Sequence, residues 1–189
     1  AGLFLKKIIA QKNSKPDWAP AIFSVEDFVC HITGFTLCDP TSLLFEFYHS
    51  YRKHEGKDAQ EFEEFAGWAQ ILLNDYNEAD LSLANVKELF EYLNETKAIA
   101  LWNTDGTELT VHEKNYLRFY NKLGVFYESL TSSLKQQKKA YHGLIYRLAA
   151  ETIDIFNAST PFKKIVFAGF NAFTASEEKI VKTLISGGK

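Results

Sequence analysis

Hydrolysis of a nucleotide needs carboxylates at the end of a strand, and the stretch KKIVFAGFNAFTASEEKIVKTL, residues 163–184, has the outline of such a site. It reads as an apolar strand from Lys164 to Ala168, a turn, and a helix capped by Thr174 with Glu177 three residues on. The positions that follow Phe167 hold Ala168 and Gly169, with Asn171 beyond them, so no acid is available there to hold Mg²⁺ or activate water. A phosphate-binding loop of the form GxxxxGK[ST] is also missing, because Gly56-Lys57 is followed by Asp58 and no glycine precedes it at the right spacing. Metal-dependent cleavage needs a carboxylate and an acid-x-lysine on adjacent strands. Pro16-Asp17, Glu95-Thr96-Lys97 and Glu177-Glu178-Lys179 match only in letters: the first sits in a linker, the second closes a helix, and on a helix i and i+2 point apart. Cys30, His31, Cys38 and His49 fit no zinc spacing, and His142, beside Tyr141 and near Ser132 and Ser133, lacks the glycines of a nucleophile elbow. The expectation is no catalytic residue, no metal and no cofactor in this chain.

Binding is the remaining chemistry, and charge is where the sequence speaks. The formal net charge is −3, yet residues 55–95 hold eleven acids against two lysines, and residues 111–147 hold seven Lys/Arg against two glutamates. The acid run Glu61, Glu63 and Glu64 reads as a solvated helix face. In the basic segment the aromatics follow the apolar stripe and read as core, which leaves Lys135, Lys138 and Lys139 outside it as candidate contacts to DNA phosphates.

The elements that must position these residues are mostly helices. Ser24 starts one that stops at Gly34, and Asp39-Pro40 starts another through LLFEFYHSYRKH. Residues 58–76 and 84–94 predict two more, Trp102–Gly106 a surface turn, about 112–139 a long amphipathic helix interrupted in its pattern by Gly124, and 142–157 a further helix. The opening AGLFLKKIIAQK shows helical spacing with no cap before it, and SKPDWAP reads as a Pro-bounded connection. The expected fold is mainly α with a small parallel β element, as one unit over 1–189: a helical lobe at 1–110, then a long helix, a helix and a strand–turn–helix at 111–189. The absence of methionine and the uncapped first helix read as a fragment of a longer protein. With 46% apolar residues the chain can bury a sizeable core. Two cysteines, no signal-like stretch and no continuous apolar run of spanning length predict a cytoplasmic location with no membrane contact.

In order along the chain, AGLFLKK, APAIFSVEDFVCHITG, LLFEFYHSYRKH, FAGWAQILLNDYNEAD, AYHGLIYRLAAE and VFAGFNAFTASEEKIVKTL resemble the N-terminal helicase-like region of PD-(D/E)xK nuclease family proteins related to the B subunit of the bacterial AddAB helicase-nuclease. The resemblance implies a degenerate superfamily 1 helicase-like α/β fragment, related to the P-loop NTPases. In such helicases the matching strand carries acids in a segment of the form VDEFQDT. Aligned on Phe170, Ala168 stands for the Mg²⁺-binding Asp, Gly169 for the Glu and Asn171 for the Gln, so these are degenerate Walker B positions.

The function so implied is a non-catalytic domain of a double-strand-break repair nuclease, positioning or scanning DNA for a nuclease domain outside this chain. Its implied partners are DNA and an AddA-like helicase subunit. The alternative from a different class is a helical interaction module that docks a basic protein through the acidic 55–95 segment.

Overall fold

A computed structural model describes residues 2–12, 19–100 and 109–188. The chain is mainly helical. Its elements are α1 (Gly2–Lys12), α2 (Val25–Thr33), β1 (Thr36–Leu37), α3 (Pro40–Glu55) with a 3₁₀ turn at Gly56–Asp58, α4 (Phe62–Leu81), α5 (Val86–Ala100), α6 (Val111–Gln136), β2 (Lys139–Ala140), α7 (His142–Ser159) and α8 (Ala175–Ser186). The Pro16-Asp17 pair, most of the SKPDWAP connection and the Trp102–Gly106 turn lie outside the described residues.

Helix ends follow their local chemistry. The Ser24 hydroxyl accepts from the Asp27 N–H at 3.0 Å, and Gly34, at φ 68°, closes α2 by donating its N–H to the Cys30 carbonyl. Asp39 caps α3 by accepting from the Ser42 N–H at 3.0 Å, with Pro40 in the first turn. Thr110 with Glu113 and Thr174 with Glu177 form reciprocal capping boxes on α6 and α8. The long helix α6 runs unbroken through Gly124, whose bare backbone lets the Phe90 ring of α5 pack against it.

One hydrophobic cluster draws on both sides of residue 110. Phe47, Phe65, Tyr76 and Phe126 are fully buried and meet edge to face, with Phe47 at 5.1 Å from Phe65 and 6.0 Å from Tyr76. Helix α6 packs on α3 and α5, and α7 packs on α2, α4 and α8. The small parallel element exists, but its place differs from the expectation. It joins β1 to β2, Thr36 against Lys139 and Leu37 against Ala140, through the Thr36 N–H to the Lys138 carbonyl (3.0 Å) and the Cys38 N–H to the Ala140 carbonyl (2.9 Å).

The strand expected at Lys164–Ala168 does not form. A strand needs a neighbour to take its backbone groups, and none of the described elements pairs with this segment. It runs instead as an extended strap between α7 and α8. Ile165 and Phe167 are half-buried, Phe167 meeting Phe28 edge to face at 6.2 Å, while Val166 is 76% exposed. Burial on one face only replaces the two-sided burial that the apolar run implied. Among the described residues, the part from 111 onward is therefore a long helix, a two-residue strand, a helix, an extended strap and a helix.

Candidate functional site

Three regions carry polar chemistry, and the fold treats them differently. The first is buried. Asp80, near the C-terminal end of α4, is fully buried, and each of its oxygens is bonded: Oδ1 accepts from the Tyr127 hydroxyl (2.6 Å) and the Arg147 Nε (2.6 Å), Oδ2 from the Tyr141 hydroxyl. Arg147 also donates through Nη2 to the carbonyls of Ala79 (3.0 Å) and Ala84 (2.7 Å). The guanidinium thus compensates the carboxylate and ties the end of α4 to the turn that follows it. Burial, then the Asp80 charge, drive the Tyr127 and Tyr141 hydroxyls far above the ordinary tyrosine value and keep them protonated donors. Beside this centre the Gly143 N–H donates to the Asn77 side-chain oxygen at 2.7 Å, and a Cβ at Gly143 would overlap the Asn77 carbonyl. The arrangement clamps α4, α6 and α7 together. Its central carboxylate, Asp80, has no exposed surface.

The second region is the corner where α6 ends. Lys135 sits in its last turn, where a cation complements the helix dipole. Lys138 adopts φ 56°, a left-handed conformation uncommon for a residue with a Cβ, and its ammonium lies 5.2 Å from the centre of the Phe35 ring. Lys139 lies in β2. Lys135 and Lys138 are exposed, Lys139 half-buried. The β1–β2 ladder holds the corner in place, so the structure does bring the three candidate lysines onto one turn.

Charge pairing sets that corner apart from the rest of the basic segment. Arg118 donates to Asp58 (3.0 Å) and reaches Glu55 (3.5 Å), Lys122 donates to Glu55 (2.6 Å), and Arg147 holds Asp80. The acidic and basic segments therefore neutralise part of each other across α3 and α6 and across α4 and α7. Among the described residues no carboxylate comes within salt-bridge distance of Lys135, Lys138 or Lys139.

The third region is a polar cleft of about 360 Å³ between α3 and α6, lined by His49, Lys53 and His54 on one wall and Ser129, Ser132 and Gln136 on the other. A wider, mostly apolar groove of about 730 Å³ lies between α4, α5 and α6, with Trp68, Phe90 and Phe119 in its lining.

The remaining candidates are scattered. Ala168 and Gly169 are exposed on the strap, Gly169 at φ 82°, and Asn171 follows on the same strap. Neighbouring rings occupy that turn: Phe170 lies 6.0 Å from Phe167 and stacks on Phe173 at 4.9 Å. Cys30 and Cys38 are free thiols, and burial pushes both above the ordinary thiol value, away from the thiolate that binds metal. His31 stacks on Phe23 at 5.3 Å, and His142 lies over Tyr146 at 4.6 Å and 3.9 Å from Glu26. Among the described residues no group of three or more His, Cys, Asp or Glu is arranged to hold a metal ion, and no helix is long and apolar enough to cross a membrane.

Sequence reasoning passes over Asp80 and Arg147. The signal is there in the spacing: Leu72, Tyr76 and Asp80 follow one another at four-residue steps, so Asp80 continues a buried face. Arg147 likewise interrupts the apolar run GLIYRLAA.

The class that emerges is a mainly helical protein with one very small parallel ladder. Comparison of the chain with protein-family models, with curated proteins and with solved structures finds no match to any of them.

Proposed function

We propose that this chain is a non-catalytic, helicase-like domain that positions DNA for a nuclease domain carried elsewhere in its parent protein. The observation that carries the reading is the unpaired lysine corner. Four of the seven cations in the basic segment lie elsewhere along it, and Arg118, Lys122 and Arg147 of these are taken up by carboxylates, whereas Lys135, Lys138 and Lys139 share one turn without a carboxylate. Cations left uncompensated on one turn are what a phosphate backbone attracts, through charge and release of its counterions. The absence of acids at Ala168, Gly169 and Asn171 supports the non-catalytic half of the reading, because Mg²⁺-dependent hydrolysis has no carboxylate to work with there. In this reading the parent acts in the cytoplasm with an AddA-like motor subunit. The alternative of an acidic docking face loses Glu55, Asp58 and Asp80 to pairing within the chain and rests on the exposed Glu61, Glu63 and Glu64.

Fluorescence anisotropy on single- and double-stranded oligonucleotides over a range of salt tests the reading. Neutralising all three lysines to Gln should weaken duplex binding and flatten the dependence of log K on log salt by up to about 0.9 for each phosphate that is no longer neutralised. No binding by the wild type at low salt, or binding indifferent to the three changes, would overturn it.

A further inference from the structure

The α3–α6 cleft gathers polar groups that make no hydrogen bond within the described part of the protein. A helix can satisfy a buried or half-buried hydroxyl by folding it back on a carbonyl four residues earlier, as with Thr131 on Tyr127 (2.9 Å) and Thr152 on Leu148 (2.8 Å). Ser50 is only 3% exposed, lines the cleft, and makes no hydrogen bond with any described residue. Ser129, Ser132, His49 and Lys53, which line it with Ser50, likewise make no hydrogen bond with any described residue, though His49, Lys53 and Ser132 are exposed. Ser133 is the exception on that wall, donating to Glu46 at 3.3 Å.

These groups share a chemistry. Hydroxyls, imidazole N–H groups and an ammonium are donors, and together they converge on a space of about 360 Å³. Phosphate oxygens are acceptors only, and protein contacts to a nucleic-acid backbone are made by just such side chains. The one carboxylate in the lining is Glu128, at its exposed edge.

Position links the cleft to the lysine corner. Ser129, Ser132, Ser133 and Gln136 follow at helical spacing on one face of α6, and Lys135 lies three residues beyond Ser132. From Ser129 to Lys135 the helix rises about 9 Å, which matches two to three nucleotides of one strand at a rise of about 3.4 Å.

We propose that the α3–α6 cleft is a phosphodiester-binding site, in which Lys53, Ser132 and Ser129 hold a backbone phosphate of the same DNA strand that the lysine corner engages. The proposal rests on the DNA-positioning reading and adds a second contact to it. Phosphate is gripped by direct hydrogen bonds, with Ser50 donating from the cleft floor and Glu128 opposing by charge.

The test uses the full chain and a short duplex, read by anisotropy at several salt concentrations, with the thermal midpoint of each variant checked. Lys53→Gln with Ser132→Ala removes two donors of the cleft and should weaken binding about tenfold, with a salt slope shallower by about one. Glu128→Gln should act in the opposite direction and tighten binding, while Glu61→Gln, a charge-matched change outside the cleft lining, should tighten it less. If the lysine-corner variants weaken binding and the cleft variants do not, the cleft site is wrong and the DNA reading stands. If the wild type binds no duplex, both fall. Inorganic phosphate at constant ionic strength separates the sources: displacement of duplex by millimolar phosphate in the wild type, abolished in the cleft variant, supports the site. Phosphate-induced changes in the His49 and His54 resonances that duplex does not reproduce would overturn it in favour of a free-phosphate site.

Discussion

Asp80 and the α3–α6 cleft are two polar regions on opposite sides of the same long helix, and they are built to opposite rules. Around Asp80 both carboxylate oxygens are bonded, and two tyrosine hydroxyls and a guanidinium converge on a carboxylate that is itself fully buried. In the cleft the donors converge on open space, and Ser50 stays unbonded although it is almost wholly covered. Buried polar groups are costly unless paired, so a complete network belongs to the architecture. In the cleft the groups are left to solvent instead, His49, Lys53 and Ser132 being exposed. The difference separates residues that hold the helices together from polar groups that the helices leave facing solvent.

The strongest test of that contrast lies at its buried end. Asp80→Ala leaves the Arg147 charge, 14% exposed, with only the carbonyls of Ala79 and Ala84 and the distant Glu151 at 3.9 Å. Removing one partner of a buried ion pair costs about 3–5 kcal/mol, whereas replacing both partners by apolar residues of similar volume can be nearly neutral. Urea unfolding should therefore show a loss of that size for Asp80→Ala and a smaller one when Asp80→Leu is combined with Arg147→Leu. A single substitution costing under about 1 kcal/mol would show the network to be dispensable, since that is the scale of an exposed pair.

How much of this is legible in the chain depends on whether the deciding interaction is local. Caps at Ser24, Asp39 and Thr174 and the stop at Gly34 are set within four residues, and they stand where the sequence places them. The run at 164–168 predicts a strand and forms a strap because apolar character specifies burial but not pairing, and the missing neighbour is a property of the whole fold. The ladder that does form has only two residues a side, Thr36-Leu37 and Lys139-Ala140, too short to leave a periodic signal. The exposure of Lys135 follows from its place outside the apolar stripe of α6, whereas Lys138 and Lys139 lie beyond the end of that helix at Gln136, short of the reach to about 139 that the sequence suggests. The cleft is not legible, because its two walls lie about eighty residues apart in sequence and their registration follows from the antiparallel packing that joins Glu55 to Lys122 and Glu46 to Ser133.

Alkaline titration probes the buried end more gently. The folded protein raises Tyr127 and Tyr141 well above the ordinary value and Tyr146 to about 12, through burial first. Unfolded tyrosine ionises at about 10. A raised folded value means that the contribution is fully present below that pH and is lost as pH rises from about 10 toward the folded values. Each such tyrosine should steepen the fall by about 1.4 kcal/mol per pH unit. Tyr127→Phe should flatten the profile above pH 10 by that amount when stability is measured by urea unfolding at successive pH values. An unchanged slope would mean that Tyr127 ionises as readily in the fold as outside it.

The smallest effect sits at the open end, and its sign carries the information. Lys138 holds φ 56° at the turn after α6, a conformation that glycine adopts without the steric cost a Cβ adds, about 1–2 kcal/mol. Against that gain stands the removal of its ammonium from the Phe35 ring at 5.2 Å, an interaction worth about 0.5–1 kcal/mol at an exposed site. Glycine also adds unfolded-state entropy, worth about 0.4–1 kcal/mol. Lys138→Gly should therefore move the unfolding free energy by no more than about 1 kcal/mol while still weakening DNA binding in the anisotropy assay. A residue kept in a strained turn for the sake of its charge behaves in that way: its removal is felt by the partner and hardly by the fold. A large loss of stability with unchanged DNA affinity would place Lys138 with Asp80, among the residues that hold the helices.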